Sequence, residues 1–183
     1  MAQGRAALMA AALPGVFVVD CSIVAAAFLA DEQSPLAAQI RESCAELTLV
    51  APRILRLEFL NVALVARRRG RLDDAQFASL LAQGAQFPVT CEDSDGTLVE
   101  FGRNAFALGL SSYDYAYLDC ARRRRLPLAT LDRTLIRACA AVGVECLADA
   151  RIAEPSATYR RSAAAARPKR KVPRPEPRSS RSA

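Results

Sequence analysis

The sequence predicts an α/β domain in which a parallel sheet lies between helices as an α/β/α sandwich, followed by a disordered basic C-terminal tail. Three observations carry this. Short, mainly apolar and often β-branched runs recur at 16–19, 47–50, 87–90, 126–130 and 144–147, as in strands buried on both faces. Segments of helical length separate them, and that alternation favours crossover connections and parallel strands. Charge is also unevenly divided: residues 151–183 hold ten Arg or Lys against two acids, whereas residues 1–150 hold fifteen basic and seventeen acidic residues.

The elements follow in order. The 16–19 run ends in Asp20-Cys21-Ser22, and a helix is predicted from about Ser22. Ser34-Pro35 supplies an N-cap and a first-turn proline for a helix to about 46. The next helix spans 52–69 and stops at Gly70, and Asp73 or Asp74 opens another to about Gln83. Helices over 93–110, 111–124 and 132–142 complete the set. In such sheets, sites gather beyond the carboxyl ends of the strands, where the strand order reverses.

A chain of 183 residues, 52% of them hydrophobic, supports one core, so the domains are drawn as an extension over 1–15, a globular domain over 16–150 and a tail over 151–183. The alanine-rich extension carries Arg5 but runs directly into a strand the core needs and is too short to span a bilayer. It is expected to be a frayed segment, or to precede a true start at Met9, with no membrane segment and a cytoplasmic location. The tail holds five of the ten prolines and little to bury, hence the expectation of disorder. Arginine outnumbers lysine 23 to 2, a bias that G+C-rich coding produces, so the runs 67–69 and 122–125 do not by themselves mark a nucleic-acid surface.

Composition also excludes chemistries. The absence of histidine removes Ser-His-Asp and Cys-His nucleophile pairs and every imidazole metal site. The six cysteines never fall in a C-x-x-C spacing and are expected to be reduced packing residues. No glycine-rich phosphate loop is present. Catalysis, if any, falls to carboxylates.

Four carboxylates occupy positions of interest. Asp20 and Asp132 each follow a predicted strand, where each could instead cap the following helix. Glu58 and Asn61 are assigned to an apolar stripe with Ile54, Val62 and Val65, opposite a wet face of Arg53, Arg56 and Arg67. There Glu58 either meets a cation or reaches water at the edge of the core. Asp114 stands three residues after Ser111, a spacing that also fits a capping box. Asp119, well round the helix from Asp114, is expected to be solvated.

Taken together, Val-Val-Asp20-Cys-Ser22, Glu58-Phe-Leu-Asn61, Ser-Ser-Tyr-Asp114-Tyr-Ala-Tyr-Leu and Leu-Ala-Thr130-Leu-Asp132-Arg-Thr-Leu resemble the ordered motifs of the PIN-domain ribonucleases. Within that superfamily the chain is most similar to the VapC-like toxins of type II toxin–antitoxin pairs, over about residues 16–147. The resemblance implies an acidic quartet of Asp20, Glu58, Asp114 and Asp132 that binds Mg²⁺ or Mn²⁺ and hydrolyses RNA, leaving a 5′-phosphate and a 3′-hydroxyl. Ser22, Asn61 and Thr130 would be supporting polar groups. A cognate antitoxin and a homodimer are implied in the same way. Tyr115 after the aspartate, the extra acid Asp119 and the basic tail depart from the usual pattern. The competing reading is a non-catalytic, RNA-associated α/β binding module; an aspartyl-phosphate phosphatase would want D-x-D where Asp20-Cys21-Ser22 stands.

Overall fold

The computed structural model describes residues 12–32 and 34–149; the tail assigned to 151–183 and most of the extension assigned to 1–15 lie outside the described residues. Five parallel strands, β1 (Val16–Val19), β2 (Thr48–Pro52), β3 (Val89–Glu92), β4 (Leu128–Ala129) and β5 (Cys146–Leu147), form a sheet in the order β3-β2-β1-β4-β5. Seven helices connect them among the described residues: α1 (Cys21–Phe28), α2 (Pro35–Ser43), α3 (Leu55–Arg68), α4 (Asp74–Gln86), α5 (Leu98–Ala107), α6 (Ser112–Arg124) and α7 (Arg133–Val142). β1 is central, with Val18 in register with Val50 of β2 on one side and Leu128 of β4 on the other. Successive residues of a strand point to opposite faces, yet Phe17, Val18 and Val19 are all fully buried, so both faces of the sheet are covered.

Local chemistry explains the element boundaries. Ser34 accepts from the Ala37 N–H at the start of α2, with Pro35 in the first turn. Asp73 and Gln76 form a reciprocal capping box that opens α4. Helix α5 begins at Leu98 rather than near Asp93, because Thr97 and Glu100 supply the cap. Asp93 is instead held by both ends of the Arg53 guanidinium, and Asp95 by Arg123. Gly143 ends α7 at φ +71°, a left-handed position glycine adopts without strain. Arg125 ends α6 in the same region at φ 53°, where a side chain is rare.

Helix α3 differs from expectation in phase. Its buried stripe is Leu55, Phe59, Ala63 and Ala66, with Ile54 and Val62 at its border, so Glu58 lies at the edge of the core and Asn61 is exposed. The arginine face is correct: Arg53 and Arg56 are exposed and Arg67 pairs with Asp74. Phe59 also explains the glycine in α4, since a Cβ on Gly84 would collide with its ring. No described helix is long and apolar enough to cross a membrane. All six cysteines are free, and Cys21, Cys120 and Cys139 are buried.

Candidate active site

Because all five strands run the same way, their carboxyl ends share one edge, and several helices begin there. Asp20 directly follows β1, Thr130 and Asp132 follow β4, Glu58 lies in the first turn of α3 after β2, and Asp114 lies in the first turn of α6, which runs back toward the start of β4. The order β2-β1-β4 places β1 where the sheet reverses its direction of growth, so Asp20 and Asp132 flank the switch point. Each acid is thus near a helix N-terminus, whose partial positive charge favours anions.

Asp20 occupies the N-cap position of α1 but makes no capping hydrogen bond. Its Oδ2 instead accepts from the Ser22 hydroxyl at 2.7 Å and the Thr130 hydroxyl at 2.6 Å. Those hydroxyls in turn accept backbone N–H groups, Ser22 from Leu131 at 2.9 Å and Thr130 from Asp132 at 3.0 Å. The result ties the end of β1 to the end of β4 through one carboxylate oxygen. Asp20 is only 6% exposed. Burial pushes its pKa up to about 6 against the two hydroxyls, and the charges of Asp114 and Asp132 add to the rise.

Glu58 is half-buried and its Oε2 accepts from the Tyr117 hydroxyl at 2.5 Å. Burial, followed by the charges of Asp20 and Asp114, pushes its pKa up to about 7, and the Tyr117 bond opposes the rise. Asp114 is also raised, chiefly by burial and further by the charge of Asp132, while its Oδ2 accepts from Ser111 at 2.7 Å. Asp132 caps α7, its Oδ1 accepting from the N–H groups of Thr134 at 2.6 Å and Leu135 at 3.0 Å. The capping expectation therefore describes Asp132 and, through Ser111, Asp114, but not Asp20. The four acids are close enough for charge on one to be felt at another.

Each of the four has its side-chain hydrogen bonds on one oxygen: Oδ2 of Asp20, Oε2 of Glu58, Oδ2 of Asp114 and Oδ1 of Asp132. The other oxygen of each is not engaged by these bonds. Among the described residues no three Asp, Glu, Cys or His side chains close into a chelating group. Hard oxygen donors with one oxygen anchored and one open suit a hard divalent cation that retains several waters, which can span wider gaps than direct ligation.

Of the remaining expected residues, Ser22 and Thr130 belong to the Asp20 network, whereas exposed Asn61 makes no side-chain hydrogen bond among the described residues. Asp119 is not freely solvated but bonded to Arg123 at 2.9 Å and Ser94 at 3.3 Å. Tyr117 was not anticipated, though its place three residues after Asp114 puts both on neighbouring parts of one helix face. Tyr115 is buried, takes a hydrogen bond from Asn104 and packs edge-to-face on Phe101, so it joins α5 to α6. Two surface clefts of about 380 Å³ lie at the opposite, amino edge of the sheet, and no member of the quartet lines either.

A parallel α/β domain with acids gathered at the switch point of its sheet is one that can present carboxylates to a ligand beyond the strand ends. The model of the PIN domain matches residues 17–141, and this chain belongs to the PIN-domain family, a fold whose members are generally nucleases that use divalent metal ions. No curated protein matches the chain. Among solved structures it is similar to PAE2754 from Pyrobaculum aerophilum, 28% identical over 67% of this chain and 84% of that one, with a TM-score of 0.49.

Proposed function

We propose that this chain is a Mg²⁺- or Mn²⁺-dependent ribonuclease that hydrolyses RNA phosphodiester bonds, and that it is the toxin of a toxin–antitoxin pair. One observation carries the catalytic reading: Asp20 is a buried carboxylate without a cationic partner, surrounded by further acids rather than by bases. A fold that served only as a scaffold gains nothing from that arrangement, because an unpaired buried carboxylate costs stability.

Asp20, Glu58, Asp114 and Asp132 would hold the metal through their unengaged oxygens. A bound divalent cation supplies a water of lowered pKa for attack at phosphorus and neutralises charge on the departing oxygen. The chain's own groups do the positioning. Ser22 and Thr130 fix the Asp20 carboxylate, and the N–H groups of Thr134 and Leu135 fix that of Asp132. Tyr117 holds Glu58 at the rim, where exposed Asn61 is available to the substrate. The antitoxin would cover this edge, and the VapC-like motifs are the support for that part of the reading.

The test uses the full chain freed of any bound partner. RNA should be cut only with Mg²⁺ or Mn²⁺, giving 5′-phosphate ends. Removing the outer partners of a metal site typically costs ~10–100-fold, so Asp20→Asn, Glu58→Gln, Asp114→Asn and Asp132→Asn should each cost at least that. Asp119→Asn, in a separate network, should cost far less. Cleavage that survives excess chelator, or that leaves 2′,3′-cyclic ends, would overturn the mechanism; binding without cleavage would favour the non-catalytic module.

A further inference from the structure

Of the four arginines in the run 122–125, the inner two are held by acids and the outer two are not. Arg123 pairs with Asp119 and Asp95, and Arg124 with Glu92. Arg122 and Arg125 are exposed, and neither makes an ion pair or a side-chain hydrogen bond among the described residues. Both line a cleft of about 380 Å³ at the amino edge of the sheet, between the end of α6 and the turn that joins α7 to β5. That volume lies at the low end of the ~300–1,000 Å³ of small-molecule sites.

The backbone at this cleft is strained at one residue. Helix α7 ends on it at Gly143 with φ +71°, the ordinary residue for a left-handed turn, whereas α6 ends on it at Arg125 with φ 53°. Among the described residues no other side chain is held at positive φ. Glycine at 125 would relieve the strain, and Arg122, Arg123 and Arg124 in the last turn already complement the carbonyl end of α6. Coding bias does not explain the choice either, because glycine codons are as rich in G and C as those of arginine. What arginine adds at this position is a guanidinium on the cleft.

We infer that this cleft binds a small phosphate monoester of mononucleotide size, apart from the quartet at the opposite edge. The guanidinium forks of Arg122 and Arg125 supply charge-assisted donors to the phosphate. Leu126, Pro127 and Val144, partly buried in the walls, offer apolar surface to a planar ring. Glu145 lines the same cleft and, like the two arginines, has no ion pair among the described residues. A carboxylate there repels a bare anion and accepts from an N–H of the ligand's organic part, so it favours a nucleotide over inorganic phosphate. The walls are tied to the sheet, the Val18 N–H donating to the Pro127 carbonyl at 2.8 Å and the Leu128 N–H to the Glu145 carbonyl at 2.9 Å. The cleft is therefore formed before any ligand arrives.

Calorimetric titration of the full chain with adenosine 5′-monophosphate, in chelator, measures the site. One nucleotide should bind per chain, and inorganic phosphate should bind at least ~10-fold more weakly. Arg122→Gln and Arg125→Gly should each weaken nucleotide binding at least ~10-fold, as loss of a charge-assisted hydrogen bond does. Arg125→Gly should at the same time raise the Tm by ~2–4 °C, because it relieves the left-handed strain. Glu145→Gln should narrow the gap between the nucleotide and inorganic phosphate, and Asp20→Asn should leave nucleotide affinity unchanged. Absence of binding at millimolar nucleotide would overturn the inference, as would unchanged affinity in either arginine variant or inorganic phosphate binding as tightly as the nucleotide. Loss of affinity in Asp20→Asn would move the ligand to the quartet and overturn it too. An Arg125→Gly variant less stable than the wild type would show that the arginine serves the fold, and an RNA oligomer without a terminal phosphate that displaces the nucleotide would make the cleft part of an RNA path; either result defeats the proposal. None of these readouts depends on RNA cleavage, so the inference stands or falls apart from the proposed nuclease activity.

Discussion

Replacing Asp20 by Asn should stabilise the metal-free protein at neutral pH and not at acid pH. The Asp20 carboxyl ionises near 3.8 when free and at about 6 when buried here. The folded state therefore binds the proton more tightly than the unfolded chain. Below 3.8 both states are protonated and nothing is lost. As pH rises from 3.8 to about 6 the unfolded chain ionises first and stability falls, reaching a loss of at most about 3 kcal/mol that persists at higher pH. Asn keeps the shape and an oxygen that can accept from Ser22 and Thr130, but it has no charge to desolvate. The stability difference between variant and wild type should thus be only about 0.5 kcal/mol at pH 4 and grow toward about 3 kcal/mol by pH 7.5, or roughly 6–12 °C in Tm for a chain of this size. Differential scanning calorimetry across that range, in chelator, measures it. Saturating Mn²⁺ should then raise the Tm of the wild type and leave that of Asp20→Asn nearly unmoved. A difference in Tm that stays constant from pH 4 to 7.5 would refute the argument, because it would mean that packing or hydrogen bonding, and not the buried charge, separates the two proteins.

Two further outcomes concern groups outside the quartet. Tyr117→Phe removes the hydroxyl that opposes the rise in the Glu58 pKa, so the acidic limb of the pH–activity profile should move to higher pH while activity at pH 8.5 changes little; an unmoved limb would show that Glu58 does not govern it. Truncation after Glu154 removes nine of the ten basic residues of 151–183 and none of the quartet. Cleavage should persist, while the slope of log RNA affinity against log salt should flatten, since each lost phosphate contact reduces it by about 0.7 on single strands; an unchanged slope would deny the tail a part in binding.

What the sequence disclosed, and what it hid, divides along physical lines. The strand 16–19 and the caps at Ser34 and Asp73 were legible because they depend on neighbouring residues, and each is present with those residues. The phase of α3 was not, because its stripe relies on Ala63 and Ala66. Alanine carries little hydrophobic signal, yet its small side chain lets a helix lie close to its neighbours, whereas Ile54 and Val62 look more apolar and only border the core. Asp93 reads in the sequence as the start of a helix because its partner, Arg53, lies forty residues away. The role of Tyr117 is hidden for a similar reason: a tyrosine inside an aromatic run is indistinguishable from packing until α3 brings Glu58 to its hydroxyl.

The same distinction separates Asp20 from the other acids at helix starts. Asp73 and Asp132 accept backbone N–H groups, and such caps contribute about 1 kcal/mol each, so their presence needs no function to explain it. Asp20 forgoes that gain while standing at an N-cap, and it adds the desolvation of a carboxylate. Serine or asparagine there would cap α1 without the charge. The local energetics therefore run against Asp20, and the two hydroxyls aimed at its Oδ2 only partly offset the cost, since its pKa remains raised. On the proposed metal-dependent reading, a position that is unfavourable alone and costlier beside Asp114 and Asp132 would become favourable once a cation is shared among them. That reversal of sign is what the Mn²⁺ arm of the calorimetry measures, because a carboxylate present only for structure has no such reversal to show.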